Sequence, residues 1–420
     1  MTDAPSPGAD DSPHGSVTGF AALKIRDFAL FFVCKLSSTG ANHMLATVLA
    51  YQVYEITDDP LSLAYIGLTL VIPVFGFSLY TGYIADRFDR RHVLVVCYTV
   101  MGLSSLLFAL FTILDVRVMW PFYASLFLLG TGRAFYAPAS SALAPNLVPI
   151  RLFANAIAWN TSASKTAQVV GPAIGGLLYY LGPDVVYILG AGIFFFGGAT
   201  MAVIRVREGG ARRQPPDIKA LLAGLVYVFE KKIILGSLSV DLFVVLMGGV
   251  TALLPIFARD ILDVGAAGAG FLRSALAVGG LAAALALTVV HMRKRVGVIM
   301  FGTVGIFGLS IVLFALSTAF WLSMVAMFVM GFSDMVSVYI RNNLLQIATP
   351  DEMRGRVSAV NSVFVSASNE LGDFRAGVFA AVMGAIPAAL FGGVAAVVIA
   401  AACWKLFPDL AKVDRMDKTL

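Results

Sequence analysis

Ionisable side chains that lie inside long apolar stretches are the residues of this sequence best suited to chemistry. The densest polar group is NELGDFRAG at residues 369–377, where Glu370 and Asp373 are three residues apart. On a helix this spacing places both carboxyl groups on one face. An acid at membrane depth costs roughly 3 kcal/mol or more and is typical of ion pathways and proton relays. We therefore predict that the intramembrane acids carry coupling protons: Asp241, Asp334, Glu370 and Asp373.

The first half of the chain supplies only basic groups at the same depth. Lys35 lies about one helical turn from Ser38, and Lys165 is followed by Gln168. Such polar runs must face protein or a water-filled cavity, because lipid does not satisfy them. The alternative is that these charges form structural ion pairs or snorkel to the membrane surface. Snorkelling would explain Arg341, which lies near the end of a span. We predict a cavity for an anionic or acceptor-rich substrate, formed by Lys35, Asn42, His43, Arg133, Asn160, Lys165, Arg273 and Asn369.

The elements that position these residues are apolar segments of membrane-spanning length. The 420-residue chain is 59% hydrophobic and 13% charged, whereas soluble domains carry about 25% charged residues. Barrel strands would be about ten residues long with alternating polarity, so we predict an all-α membrane protein. The twelve predicted helices cover 27–54, 61–85, 92–114, 119–143, 152–181, 184–206, 233–258, 264–290, 296–316, 320–346, 355–384 and 386–407.

The distribution of basic residues predicts the orientation of these spans. Among the 30 Lys and Arg residues, only Arg117 and Arg259 lie in the loops on one side. The positive-inside rule then places both termini in the cytoplasm and requires an even number of spans. The predicted units are a disordered tail at 1–22, six-helix halves at 23–206 and 233–408, a cytoplasmic linker at 207–232 and a tail at 409–420. The linker could form an amphipathic helix from Asp217 to Phe229.

The loop between spans two and three contains the sharpest local motif, GYIADRFDRR at residues 82–91. A glycine, three further residues, Asp-Arg and a basic pair resemble the loop motif of the major facilitator superfamily. Asp89 stands where that family commonly has glycine. The resemblance implies a secondary transporter with two six-helix halves that works by alternating access.

Further motifs narrow this resemblance. Gly171, Pro172, Gly175 and Gly176 in span five resemble the antiporter motif of the superfamily, although Ala167 replaces a further glycine. Residues 130–138, 144–149, 152–156 and 354–357 resemble the bacterial branch that includes the enterobactin exporter and macrolide efflux proteins. The resemblance implies a proton-coupled exporter of a polar or anionic molecule, such as a siderophore or drug, in the bacterial inner membrane.

The sequence lacks the motifs that are typical of several other functional classes. The sequence has no G-x-x-x-x-G-K-[ST], H-E-x-x-H or G-x-S-x-G, so we expect neither an enzyme nor a cofactor or metal. Cys34, Cys97 and Cys403 lack disulfide or metal spacing. We expect a monomer with a small-molecule substrate, protons and lipids as partners, and no nucleic acid. A lipid or lysolipid flippase or a proton-coupled importer on the same fold remains open, as does an intramembrane enzyme or channel.

The motif loop suggests a conformational latch between the halves. Gly82 would let two helices approach closely, and Asp86 would sit near the N-terminus of span eleven, whose dipole favours an anion. Arg354 and Arg356 begin that span and could pair with Asp86 or Asp89. The predicted latch consists of Gly82, Asp86, Arg87, Arg90, Arg91, Arg354 and Arg356.

Replacing Asp86→Asn is expected to shift the protein away from the outward-open state, because the latch holds the cytoplasmic ends of the halves together. Cysteine accessibility or a distance measurement between the halves would detect the shift. An unchanged inward/outward balance would contradict the latch.

Overall fold

The computed structural model describes residues 19–205, 225–290 and 295–411. Within these residues the chain forms twelve long helices, whose ends lie close to the predicted ones except in span seven. They are α1 (Arg26–Thr57), α2 (Pro60–Arg87), α3 (Arg90–Ile113), α4 (Trp120–Leu143), α5 (Phe153–Leu178), α6 (Pro183–Val203), α7 (Lys232–Gly248), α8 (Gly265–Val289), α9 (Val296–Leu316), α10 (Phe320–Ile347), α11 (Asp351–Met383) and α12 (Ala385–Leu406).

By length and composition, eight stretches of the described residues are apolar enough to cross a membrane. The helices without such a stretch are α1, α4, α5 and α11. These four helices carry Lys35, Arg133, Lys165 and Glu370. The most polar helices are therefore the ones that the sequence predicts to line the cavity.

Tight turns connect the helices at one end of the bundle. We call this end the hairpin face, and we call the opposite end, where α1, α3, α5, α7, α9 and α11 begin, the terminal face. Asp58, Asp115 and Asp263 have φ angles of 51°, 48° and 51° in turns of the hairpin face, and Gly182 and Gly384 also have positive φ. Asp and Gly tolerate this left-handed conformation better than other residues do, which allows sharp reversals between helices.

Two sets of helices have largely separate cores. Residues from α1 to α6 form one buried cluster, which includes Phe31, Met101 and Phe108. Residues of α7, α8, α9, α10 and α12 form another, which includes Met300 and Ile340. A third cluster near the hairpin face joins Tyr54 and Leu63 to residues of the second set. The two sets are therefore in apolar contact near the hairpin face.

Small residues allow helices from the two sets to approach closely. A Cβ atom on Gly176 of α5 would lie 2.5 Å from the Ala266 carbonyl oxygen of α8, and one on Gly377 of α11 would lie 2.6 Å from the Ala64 nitrogen of α2. Gly171 and Gly175 pack equally closely on α1, while Pro172 lies against Gly270 of α8. The predicted antiporter-motif residues thus pack α5 on both α1 and α8, as small residues do between membrane helices.

Span seven differs from its prediction as a single helix over 233–258. Helix α7 ends at Gly248, and 3₁₀ (Thr251–Leu253), α (Leu254–Ile256) and π (Phe257–Ile261) turns follow. The break falls at a Gly-Gly pair, where a Cβ on Gly249 would lie only 3.0 Å from the Gly372 carbonyl carbon of α11. Irregular backbone at this depth is tolerated because it is covered by protein or lines a cavity.

Parts of the predicted tail and of the predicted linker lie among the described residues. The carbonyl oxygen of Gly19 accepts hydrogen bonds from Asn155 Nδ2 (2.8 Å) and Trp159 Nε1 (2.9 Å), so the folded part includes residues 19–22 of the predicted tail. Residues 225–230 of the predicted linker helix are helical, with Val228 buried. The rest of that helix, together with 1–18, 291–294 and 412–420, lies outside the described residues.

Replacing Gly377→Ala is expected to lower the free energy of unfolding by about 1–3 kcal/mol, because the new methyl group would meet backbone atoms of α2 that cannot move independently. Thermal unfolding of the purified protein measures the change. Gly192→Ala in α6 is the matched control, since no atom lies within 4 Å of its Cβ position. Equal stability of the two variants would contradict tight α2–α11 packing.

Candidate functional site

A central cavity of about 570 Å³ lies between helices of the two sets. Its wall comes from α1, α2 and α4 on one side and from α8, α11 and the break after α7 on the other. We call it the central lobe. Its lining includes the polar residues Asn42, His43, Arg133, Thr251, Arg273, Asn369, Glu370 and Asp373.

Three residues of the predicted cavity are absent from this lining. Lys35 is half-buried on α1, Asn160 is buried on α5, and Lys165 Nζ lies 3.5 Å from Gln168 Oε1 on its own helix. Roles for these three residues stay predictions. The other predicted members, Asn42, His43, Arg133, Arg273 and Asn369, do line the central lobe.

The break after α7 supplies polar partners for α11. The hydroxyl group of Thr251 donates to Asp373 Oδ1 at 2.7 Å. Arg375 Nη2 donates to the Gly249 carbonyl oxygen at 3.2 Å, and the guanidinium group lies 5.2 Å from the ring centre of Phe379. Sequence reasoning missed Thr251, although the Gly248-Gly249 pair was a signal for an interrupted helix.

The other charged groups of the central lobe are held apart from one another. The side chains of Arg133, Arg273 and Glu370 make no direct hydrogen bond or ion pair with any residue in the described part of the chain. Their charges are still close enough to interact: Arg133 and Arg273 attract the carboxylate group of Glu370, and Asp373 repels it. A ligand can therefore reach these three groups without first displacing a protein partner.

A second cavity of about 330 Å³ lies between α7, α10 and α11, and we call it the side lobe. Arg341 Nη2 lies 2.7 Å from Asp241 and 4.0 Å from Asp334. The side chains of Arg341 and Asp241 are only 7% and 13% exposed, whereas that of Asp334 is 45% exposed. Arg341 is therefore buried in an ion pair and does not snorkel. The four predicted proton carriers fall into two pairs, one in each lobe.

A polar cluster closes the hairpin face, and we call it the hairpin lock. Arg259 contacts Asp58, donates to Asp260 at 2.8 Å and to the Tyr54 carbonyl oxygen at 3.3 Å, and lies 4.6 Å from the centre of the Tyr54 ring. Tyr54 in turn donates its hydroxyl proton to Asp260. Two members come from each helix set, so the lock joins the sets. The sequence showed Arg259 only as an outer-loop charge.

The side lobe extends toward the terminal face, since Asn342 and Leu345 in the last two turns of α10 line it. Arg354, Gly355, Arg356 and Ser362 on the terminal part of α11 are exposed, and a Cβ on Gly355 would meet no atom within 4 Å. The hairpin part of α11 is buried from Arg375 to Gly377.

The predicted latch residues have local partners at this face. Arg90 and Arg91 donate to the Ala142 and Ile204 carbonyl oxygens at 3.0 and 3.2 Å. Arg354 pairs with Asp351, and Arg356 contacts the Met353 sulfur at 3.6 Å. Arg87 lies at the exposed end of α2. Gly82 and the side chain of Asp86 lie outside the described residues, so the latch stays a prediction.

Residues 17–419 match the family described as transmembrane secretion effector, MFS_3. The chain belongs to this family; it is a multi-pass secondary transporter of the major facilitator superfamily and not an enzyme. The crystal structure of a mutant of the nucleoside transporter NupG has the same fold, with a TM-score of 0.75 at 12% identity over 91% of this chain and 100% of that one.

Two curated relatives match most of the chain. Macrolide efflux protein A of Streptococcus pyogenes is 22% identical over 382 residues, which cover 88% of this chain and 93% of the relative. The enterobactin exporter EntS of Escherichia coli is 27% identical over 382 residues, which cover 88% and 85%. The resemblance to the branch that contains such proteins is thereby confirmed.

Replacing Arg259→Gln is expected to open the hairpin face more often, because Arg259 alone contacts three members of the lock. A cysteine replacing Ala50 in the central lobe should react about tenfold faster with an impermeant maleimide applied from the hairpin side.

Arg117→Gln is the control, since that exposed arginine pairs only with Asp115 among the described residues. Equal labelling rates in the two variants would show that the lock does not hold the face closed.

Proposed function

We propose that this protein is a proton-coupled exporter that exposes the two-lobed cavity alternately to the two sides of the membrane. The observation that carries this proposal is the asymmetry of the bundle. The hairpin lock and the close packing of α2 on α11 and of α5 on α8 join the helix sets at one face, while the side lobe extends toward the other. One end of an alternating-access cycle has this form.

The positive-inside rule supports a cytoplasmic terminal face with both termini inside. Among the described residues, Arg90, Arg91, Arg354 and Arg356 lie at this face. The side lobe then extends toward the cytoplasm, which suits the loading of an exported substrate. The described activities of the two relatives, macrolide efflux and enterobactin export, support the same direction. Their bacterial sources favour the plasma membrane as the location.

The acids of the central lobe are the favoured coupling groups. Glu370 and Asp373 share one face of α11 and interact with Arg273, while Glu370 also interacts with Arg133 of the other helix set. A proton on Glu370 removes its attraction to Arg133 across the cavity, whereas a proton on Asp373 removes its attraction to Arg273 within one wall. Proton binding would therefore change the relative free energies of the two end states, which is the thermodynamic requirement for coupling.

The double variant Glu370→Gln/Asp373→Asn is expected to abolish transport driven by a pH gradient while leaving substrate exchange intact, because both groups would be permanently neutral. Anionic chelators, amphipathic drugs and lysolipids would first be screened by thermal shift for a binding compound. Its transport would then be measured in proteoliposomes, with and without the gradient.

Asp115→Asn, in an exposed hairpin-face turn, is the matched control and should keep gradient-driven transport. Transport by the double variant that still follows the pH gradient would remove these acids from the coupling role.

A further inference from the structure

The two walls of the cavity carry opposite charge. On the wall built from α1, α2 and α4, the permanently charged lining residue is Arg133. On the facing wall of the central lobe, Arg273 stands against two acids, Glu370 and Asp373. In the side lobe, Arg341 stands against Asp241 and Asp334. Each lobe thus has one more acid than arginine on the side of the second helix set, while Arg375 lies beside Asp373 outside both linings.

Arg133 is the available cation of the first wall. Its guanidinium group lines the central lobe, and within the described chain it forms no direct hydrogen bond or ion pair. The group has five donors in a planar fork that suits a carboxylate or a phosphate. An anionic group in the central lobe would satisfy those donors.

Asp334 is the available anion of the second wall. Arg341 is bound closely to Asp241, so Asp334 shares its cation and is the more exposed of the two acids. Asn342, Asn361 and Ser362 also line this side lobe. One buried arginine between two carboxylates leaves room for one further positive charge.

The two lobes lie next to each other along α11. Ser366 and Asn369 line both, and each lobe has a volume within the range of small-molecule sites. Leu49, Ile66 and Leu70 provide apolar surface in the central lobe. A molecule that extends past Ser366 and Asn369 would contact Arg133 in one lobe and Asp334 in the other.

We infer that the transported substrate is bipolar, with an anionic group held at Arg133 and a cationic group held at Asp334. This inference rests on the proposed transport function and deepens it. A purely anionic substrate leaves the carboxylate excess of the side lobe unbalanced, and a purely cationic one leaves Arg133 unbound. Either therefore binds more weakly than a molecule that carries both charges.

The test is a thermal-shift screen of the full-length protein in lipid nanodiscs, with drug-sized compounds sorted at neutral pH into zwitterions, cations, anions and neutral molecules. Zwitterions are expected to dominate the binders. Asp334→Asn should lower the affinity of a zwitterion about tenfold and spare its N-acylated, anionic derivative. Arg133→Gln should lower it equally and spare the esterified, cationic derivative.

Asp115→Asn and Arg117→Gln, an exposed pair at the hairpin face, control for a general change of charge. The inference is overturned if no zwitterion binds, if singly charged compounds dominate, or if both lobe variants weaken all three derivatives alike.

Counterflow of the best zwitterion in proteoliposomes separates this inference from the proposed coupling. Exchange without any effect of a pH gradient would retain the bipolar substrate and remove proton coupling. Gradient-driven transport of a singly charged compound only would retain coupling and remove the bipolar substrate.

Discussion

The structure depends on one constraint, which is that a charge inside an apolar bundle needs a partner or access to water. Hydrocarbon offers neither, so an unpaired charge there is costly. Asp241 satisfies the constraint with Arg341, and Asp373 satisfies it with Thr251. Arg133 and Glu370 satisfy it by lining a cavity.

The break after α7 links the binding region to the closed face. Its first residues are hydrogen-bonded to α11: the Gly249 carbonyl oxygen accepts from Arg375, and the Thr251 hydroxyl group donates to Asp373. Its last turn provides Arg259 and Asp260 to the hairpin lock. A short irregular segment thus contacts both the acids of the cavity and the closure that isolates them. A change of charge at Asp373 has a direct structural route to the lock.

Close backbone packing explains how the two helix sets can separate and meet again. At the hairpin side the contacts between them are between small residues, such as Gly377 with Ala64 and Gly176 with Ala266. Few side-chain rotamers need to change when such surfaces part, and no hydrophobic driving force opposes separation within lipid.

The sequence by itself determined the number of helices, nearly all their ends and the family motifs, because a spanning helix needs about 20 apolar residues wherever it packs. It also identified every acid that lines the two lobes. Only the tertiary structure decided that these acids form two pairs and that Arg341 is buried against Asp241. It also decided that Thr251 bonds to Asp373 and that Arg259 contacts Asp58 of the other helix set. Lys35, Asn160 and Lys165 show the same limit, since the sequence gives their depth but helix rotation decides which side chains face the cavity. Partners that are far apart in sequence meet only when helices pack, so no local pattern records them.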